Sequence, residues 1–111
     1  MEKDNLVYLR LMLDSIRKIK DYVHGMVFSD FSIDNKTQSA VIMQLQVIGE
    51  LSKKVQEEIK KEINIPWKQM SGLRDMVAHD YFSLDIDAIW KTVNESIPDA
   101  EKEIKKYFKI D

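Results

Sequence analysis

Residues 36–63 read KTQSAVIMQLQVIGELSKKVQEEIKKEI. Val41, Leu45, Ile48, Leu51, Val55 and Ile59 recur at steps of three and four, the stripe of an amphipathic helix, so one long helix is predicted from about Lys36 to Ile63. Its first half is more apolar than one stripe requires. Ile42, Met43 and Val47 fill additional faces, which implies cover on two sides, either by two helices of the same chain or by a second protomer. Ser52-Lys-Lys, Glu57-Glu58 and Lys60-Lys-Glu fall on a solvated face.

The same period extends on both sides of this stretch. Leu6, Leu9, Leu13, Ile16, Ile19 and Val23 mark a helix from about Asp4 to His24, and Gly25 is a natural stop. From Met26 to Ser39 polar residues surround Phe28 and Phe31, which reads as a loop pinned down by two aromatics, with Asp34 or Asn35 placed to cap the next helix. Asn64-Ile-Pro-Trp is a break and a restart, because Pro66 is tolerated at the first position of a helix. Ser71-Gly72 is expected to interrupt that helix before a turn or two from Leu73 to about Asp80. A last helix runs from about Asp85 to Phe108 on Ile86, Ile89, Trp90, Val93, Ile97, Ala100, Ile104 and Phe108, with a kink expected at Pro98. With no alternating strand pattern and no internal repeat, the expectation is an all-α, up-and-down bundle of four to five helices forming a single domain over residues 1–111.

Composition narrows the function classes. The 111 residues are 44% hydrophobic and 32% charged with only 3 Gly and 2 Pro, which fits helices better than a turn-rich β fold. Cysteine is absent, so disulfide scaffolds, thiolate metal sites and cysteine nucleophiles are excluded. A net charge of −2 argues against a module that coats nucleic acid through a broad basic face, and confines any RNA contact to a local cleft. No apolar run suggests a membrane span and the N-terminal stretch does not read as a signal peptide, so a cytoplasmic protein is expected.

The most chemically varied segment is Gly72 to Tyr81, which holds Arg74, Asp75, His79, Asp80 and Tyr81. On an ideal helix Asp75 and His79 share a face, so the carboxylate is placed to orient the imidazole. Arg74 lies about 140° around the axis from His79 by the 3.6-residue period, so the two heads converge only through the long guanidinium stem or fraying before Tyr81. These residue types suit RNA cleavage by the RNA's own 2′-hydroxyl. That reaction needs a base active near neutral pH and a cation for the crowded phosphorane, which a guanidinium binds bidentately, and it needs no metal or cofactor. It also gains from an acid as well as a base, and a two-fold dimer would bring a second Arg74 and His79 to one cleft. Spacing alone also fits a surface ion-pair group.

The string R-x-x-x-x-H-x-Y, Arg74 to Tyr81, resembles the signature of the HepT-like branch of the HEPN proteins. Its flanks agree in order and spacing: Ala40-Val-Ile-Met-Gln-Leu-Gln-Val-Ile-Gly-Glu50 resembles the family's stretch ending in I-G-E, and Ile65-Pro-Trp-Lys-Gln-Met-Ser-Gly-Leu-Arg-Asp resembles its I-P-W followed by G-L-R. The helix from Asp85 with Trp90 and Pro98 is similar to the family's last helix. The resemblance implies a metal-independent RNase toxin, active as a homodimer with a composite site and encoded beside a minimal nucleotidyltransferase antitoxin. It implies Arg74 and His79 as catalytic, Asp75 and Tyr81 as supporting residues, and Tyr81 as the acceptor of AMP from the partner. One position departs: after the arginine the family frequently has Asn, and this chain has Asp75. A competing reading keeps the fold but makes the chain a non-catalytic helical partner that presents a tyrosine or a nucleotide-binding cleft to the nucleotidyltransferase. Of the remaining residues, Glu50 reads as a buried acid paired with an arginine, Trp67 and Trp90 as core anchors, and the Lys53-Lys54 and Lys60-Lys61 pairs as solvated face.

Overall fold

A computed structural model describes residues 2–110, apart from the side chains of Glu2, Lys3, Asp80 and Tyr81. Helix α1 (Glu2–Val23) ends where expected, at Gly25, whose φ of 77° is a left-handed conformation that only glycine adopts without strain. Helix α3 (Asn35–Lys54) follows, and Asp34 is its N-cap, its carboxylate accepting the Thr37 N–H at 3.0 Å and the Thr37 hydroxyl at 2.6 Å. Those two bonds hold the Asp34 carboxyl below its ordinary range. Between them the expected loop contains a short helix α2 (Phe28–Ser32), started by the Val27 N–H donating to the Asp30 carboxylate at 3.0 Å. One turn is too short to leave a periodic signal. Phe31 is fully buried and lies 4.9 Å from the Trp90 ring, whereas Phe28 touches the same ring at 6.3 Å from a partly exposed position.

The long helix expected to reach Ile63 is broken. Helix α3 stops at Lys54, Val55 turns to extended backbone, and a single turn α4 (Glu57–Lys60) carries the chain on. The cause is tertiary: the side chain of Asn5, buried on α1, accepts the Gln56 N–H at 2.9 Å and donates to the Gln56 side chain at 3.1 Å, capturing the backbone that would have continued the helix. Val55, Ile59 and Ile63 are buried all the same, so the stripe identifies the core correctly across a break it does not reveal.

Helix α5 (Trp67–Asp80) begins after Pro66, whose carbonyl accepts the Met70 N–H, and runs without interruption through Ser71-Gly72. Buried Met70, Leu73 and Val77 hold it against α3, which outweighs the weak helix propensity of Gly72. It tightens into a 3₁₀ turn at Tyr81–Ser83. Asp85 caps α6 (Ile86–Lys91), which passes through a π-helical turn at Thr92–Ser96 into α7 (Ile97–Phe108). The disturbance expected at Pro98 therefore takes the form of a widened turn just before it, where the missing proline N–H and the crowding of its ring loosen the α ladder.

Among the described residues there is no strand, and four long helical arms, α1, α3, α5 and α6–α7, form the bundle, which is the all-α architecture expected. Helix α3 is central, with α1 against one side and α5 against another, and α7 closes over α1. This arrangement covers Ile42 and partly covers Val47 within the chain, while Met43 remains 56% exposed. No described helix is long and apolar enough to cross a membrane.

Candidate active site

The site is built where α5 crosses α3. Gly49 makes the crossing close: a Cβ placed on it would lie 2.5 Å from the Arg74 backbone nitrogen and 3.0 Å from the Arg74 Cβ, so any larger residue would force the helices apart. The close approach brings the next two charged residues of α3, Glu50 and Lys53, level with Arg74 and Asp75 of α5. Four side chains of alternating charge then run in a row. Glu50 Oε2 lies 3.2 Å from Arg74 Nε, Arg74 Nη1 lies 3.4 Å from Asp75 Oδ1, and the same Oδ1 accepts from Lys53 Nζ at 2.8 Å.

All four are well exposed, Arg74 at 43% and Glu50 at 52% of its side chain, so these are surface ion pairs, contributing about 0–1 kcal/mol each. Arg74 is oriented but not locked. Glu50 and Asp75 engage Nε and Nη1, and a guanidinium carries five N–H donors, so donors remain for a bidentate phosphate contact. The Asp75 carboxyl is held below its ordinary value of 3.8 chiefly by the Lys53 hydrogen bond, which outweighs the opposing effect of burial, with lesser help from the Lys53 charge and from the hydrogen bond and charge of Arg74.

His79 stands exposed in the last turn of α5. Among the described residues no hydrogen bond or ion pair joins it to Arg74 or Asp75. The carboxylate expected to orient the imidazole is held by Lys53 instead, because the α3–α5 crossing brings an ammonium closer than the next turn of α5 brings the ring. Tyr81 opens the 3₁₀ turn after α5, and its side chain, like that of Asp80, lies outside the described residues. Glu50 is paired with an arginine as expected, yet it is half exposed rather than buried, and the arginine is Arg74 itself. Lys53 is not idle solvated surface, and Lys54 lies 5.8 Å from the Tyr8 ring centre. Trp67 anchors the α3–α5 connection by donating its ring N–H to the carbonyls of Lys60 and Ile63, both at 3.0 Å. Two contributors escaped the sequence reading, Gly49 and Lys53. A glycine inside an apolar helix face was the available signal for the first; nothing in the spacing indicated the second.

A groove of about 580 Å³ between α1 and α7, lined by Arg10, Arg17, Lys20, Glu101 and Lys105, is separate from these residues. Lys20 and Lys105 both pair with Glu101, at 2.9 and 3.6 Å, and Arg17 pairs with Asp14 and Asp21 of the same lining, at 3.1 and 3.6 Å, so most of its charges are paired.

The family profile described as Ribonuclease HepT-like matches residues 12–107. The chain is 37% identical over 107 residues to a protein of Thermococcus cleftensis provisionally named ribonuclease HepT, spanning 96% of this chain and 97% of that one. It is 39% identical over 109 residues to a protein of Methanocaldococcus jannaschii provisionally named an RNase, spanning 97% and 90%. It is 34% identical over 100 residues to another provisionally named RNase, from Caldanaerobacter subterraneus, spanning 89% of each. No solved structure gives a significant match.

Proposed function

This chain belongs to the HepT-like ribonuclease family, and on that premise we propose that it is a metal-independent endoribonuclease in which Arg74 and His79 carry the chemistry. His79 takes the proton from a ribose 2′-hydroxyl, and the oxygen attacks the adjacent phosphorus. The bond to the 5′-oxygen breaks, a second histidine that starts as the imidazolium gives a proton to that oxygen, and a 2′,3′-cyclic phosphate and a free 5′-hydroxyl remain. Arg74 binds the phosphorane oxygens as negative charge accumulates on them.

The observation that carries the reading is the placing of Arg74: a half-exposed guanidinium held at the Gly49 crossing, one helix face away from an exposed imidazole. The second imidazole is assigned to His79 of a partner protomer in a two-fold homodimer. Met43 supports that assignment, since it stays exposed on α3 seven residues, about two turns, before Glu50 and so on the same side of the helix. The whole of residues 1–111 acts as one helical domain, supported by a contiguous buried cluster from Leu9 to Ile104. The biological setting proposed is a cytoplasmic toxin whose antitoxin is a minimal nucleotidyltransferase, with Tyr81 as AMP acceptor. AMP there adds bulk and negative charge two residues beyond His79, where RNA phosphate has to bind.

Arg74→Ala and His79→Ala are each expected to lower RNA cleavage by about 10²-fold or more, the range of electrostatic and acid–base groups. Cleavage persists in excess EDTA, because base and cation are both side chains, and a 2′-deoxyribose at the scissile position abolishes it. Cleavage of the deoxy substrate, or full activity of a folded His79→Ala dimer, moves the assignment to the non-catalytic partner. Incubation with ATP, magnesium and the cognate nucleotidyltransferase is expected to add one AMP mass to the wild type and none to Tyr81→Phe; equal labelling of both places the acceptor elsewhere.

A further inference from the structure

We propose that Lys53 is a positioning residue for RNA cleavage, holding Asp75 by its carboxylate so that Arg74 stays available to the substrate phosphate. The inference rests on the reading of Arg74 as the phosphate-binding cation and adds a residue to that site. Three observations carry it. Asp75 puts a carboxylate oxygen 3.4 Å from Arg74 Nη1, beside the place a phosphate oxygen would take, so an unneutralised Asp75 both repels RNA and competes for the guanidinium. Lys53 Nζ lies nearer to that same oxygen, at 2.8 Å, and comes from the other helix of the crossing, so its hold on Asp75 does not move with Arg74. Glu50 already occupies Arg74 Nε at 3.2 Å. Without Lys53, Arg74 would stand between two carboxylates with no other cation in the row, and Asp75 would be free to take up the guanidinium donors left for an incoming phosphate. With Lys53 the row is neutral, and Asp75 is turned toward α3.

The position thus has a compensating partner. Lys53 acts through Asp75, not on the RNA directly, and this separates it from an ordinary surface ion pair, whose removal changes stability alone. The test is a double-mutant cycle on Lys53→Ala and Asp75→Asn, read as kcat and KM on a short oligoribonucleotide and as affinity for its uncleavable 2′-O-methyl counterpart. Lys53→Ala is expected to raise KM and weaken binding about tenfold, the scale of one charge contact near a surface, with a smaller change in kcat. Lys53→Arg stays within about threefold of wild type because it preserves the charge. Asp75→Asn lowers KM, and in that background Lys53→Ala has less than about a twofold effect. An equal loss in both backgrounds overturns the proposal, since Lys53 would then act independently of Asp75. A Lys53→Ala protein that melts earlier but keeps its KM overturns it as well, leaving only a structural pair. A folded wild-type protein that neither cuts nor binds RNA overturns the functional reading itself, and this inference with it.

Discussion

Asn5 shows how much one buried polar side chain can decide. It sits on α1 within an apolar stripe, is 1% exposed, and spends both ends of its amide on Gln56, fifty-one positions away. A buried amide is tolerated only when its donor and acceptor are satisfied, and here that requirement coincides with the helix end at Lys54. Asn5→Ala is therefore expected to cost about 1–3 kcal/mol, measured by urea unfolding, because the Gln56 N–H loses its partner. An unchanged midpoint would mean that water or a continued helix replaces the bond without loss. Asp75 teaches a related lesson about charge. Its depressed pKa means that its pairing with Lys53 is present above the ordinary carboxylate value of 3.8 and is lost only as pH falls through the lower folded value, so the row is intact at neutral pH.

At the scale of elements, the two glycines around the site have opposite meanings. Gly49 lies under the Arg74 backbone with no room for a methyl group, and Gly72, two residues before Arg74, has nothing within 4 Å of a Cβ built on it. Gly49→Ala should overpack the α3–α5 crossing, destabilise the fold by about 1–3 kcal/mol and pull Arg74 away from Glu50. Gly72→Ala should stabilise by about 0.5–1 kcal/mol, since it sits mid-helix with an ordinary φ and open space. Thermal unfolding of the two variants reads the opposite signs directly; a Gly49→Ala protein as stable as wild type would show that the helices slide apart freely. Both glycines looked alike as letters in a helical pattern. The expected break at Ser71-Gly72 failed because burial of Met70, Leu73 and Val77 is worth more than the propensity lost at one glycine.

For the whole molecule, assembly is the decisive quantity, because the proposed chemistry uses two imidazoles and each chain offers one in this segment. Light scattering at micromolar concentration is expected to give about twice the 13.1 kDa chain mass. Met43→Glu, a charge on the exposed apolar position of α3, should shift the protein toward monomer and lower cleavage in step; a strict wild-type monomer would remove the composite site. The extra apolar faces of α3 are a weaker sign of a partner than their letters suggested, since Ile42 is buried and Val47 partly buried within the single chain.

Periodicity by itself determined the helical class and most of the core on α1, α3 and α6–α7, because burial must repeat with the helix turn whatever the chain does elsewhere, while residue type marked the stop at Gly25 and a cap at Asp34 or Asn35. The segment from Gly72 to Tyr81 also stood out as the candidate site, since its residue types are unlike the rest. Only the tertiary structure decided where α3 stops, that Gly49 lets Arg74 approach, and that Glu50 and Lys53 rather than His79 meet Arg74 and Asp75. Those contacts join residues twenty-two or more positions apart, and the distance between two helices depends on the packing of every side chain between them, which no local spacing encodes.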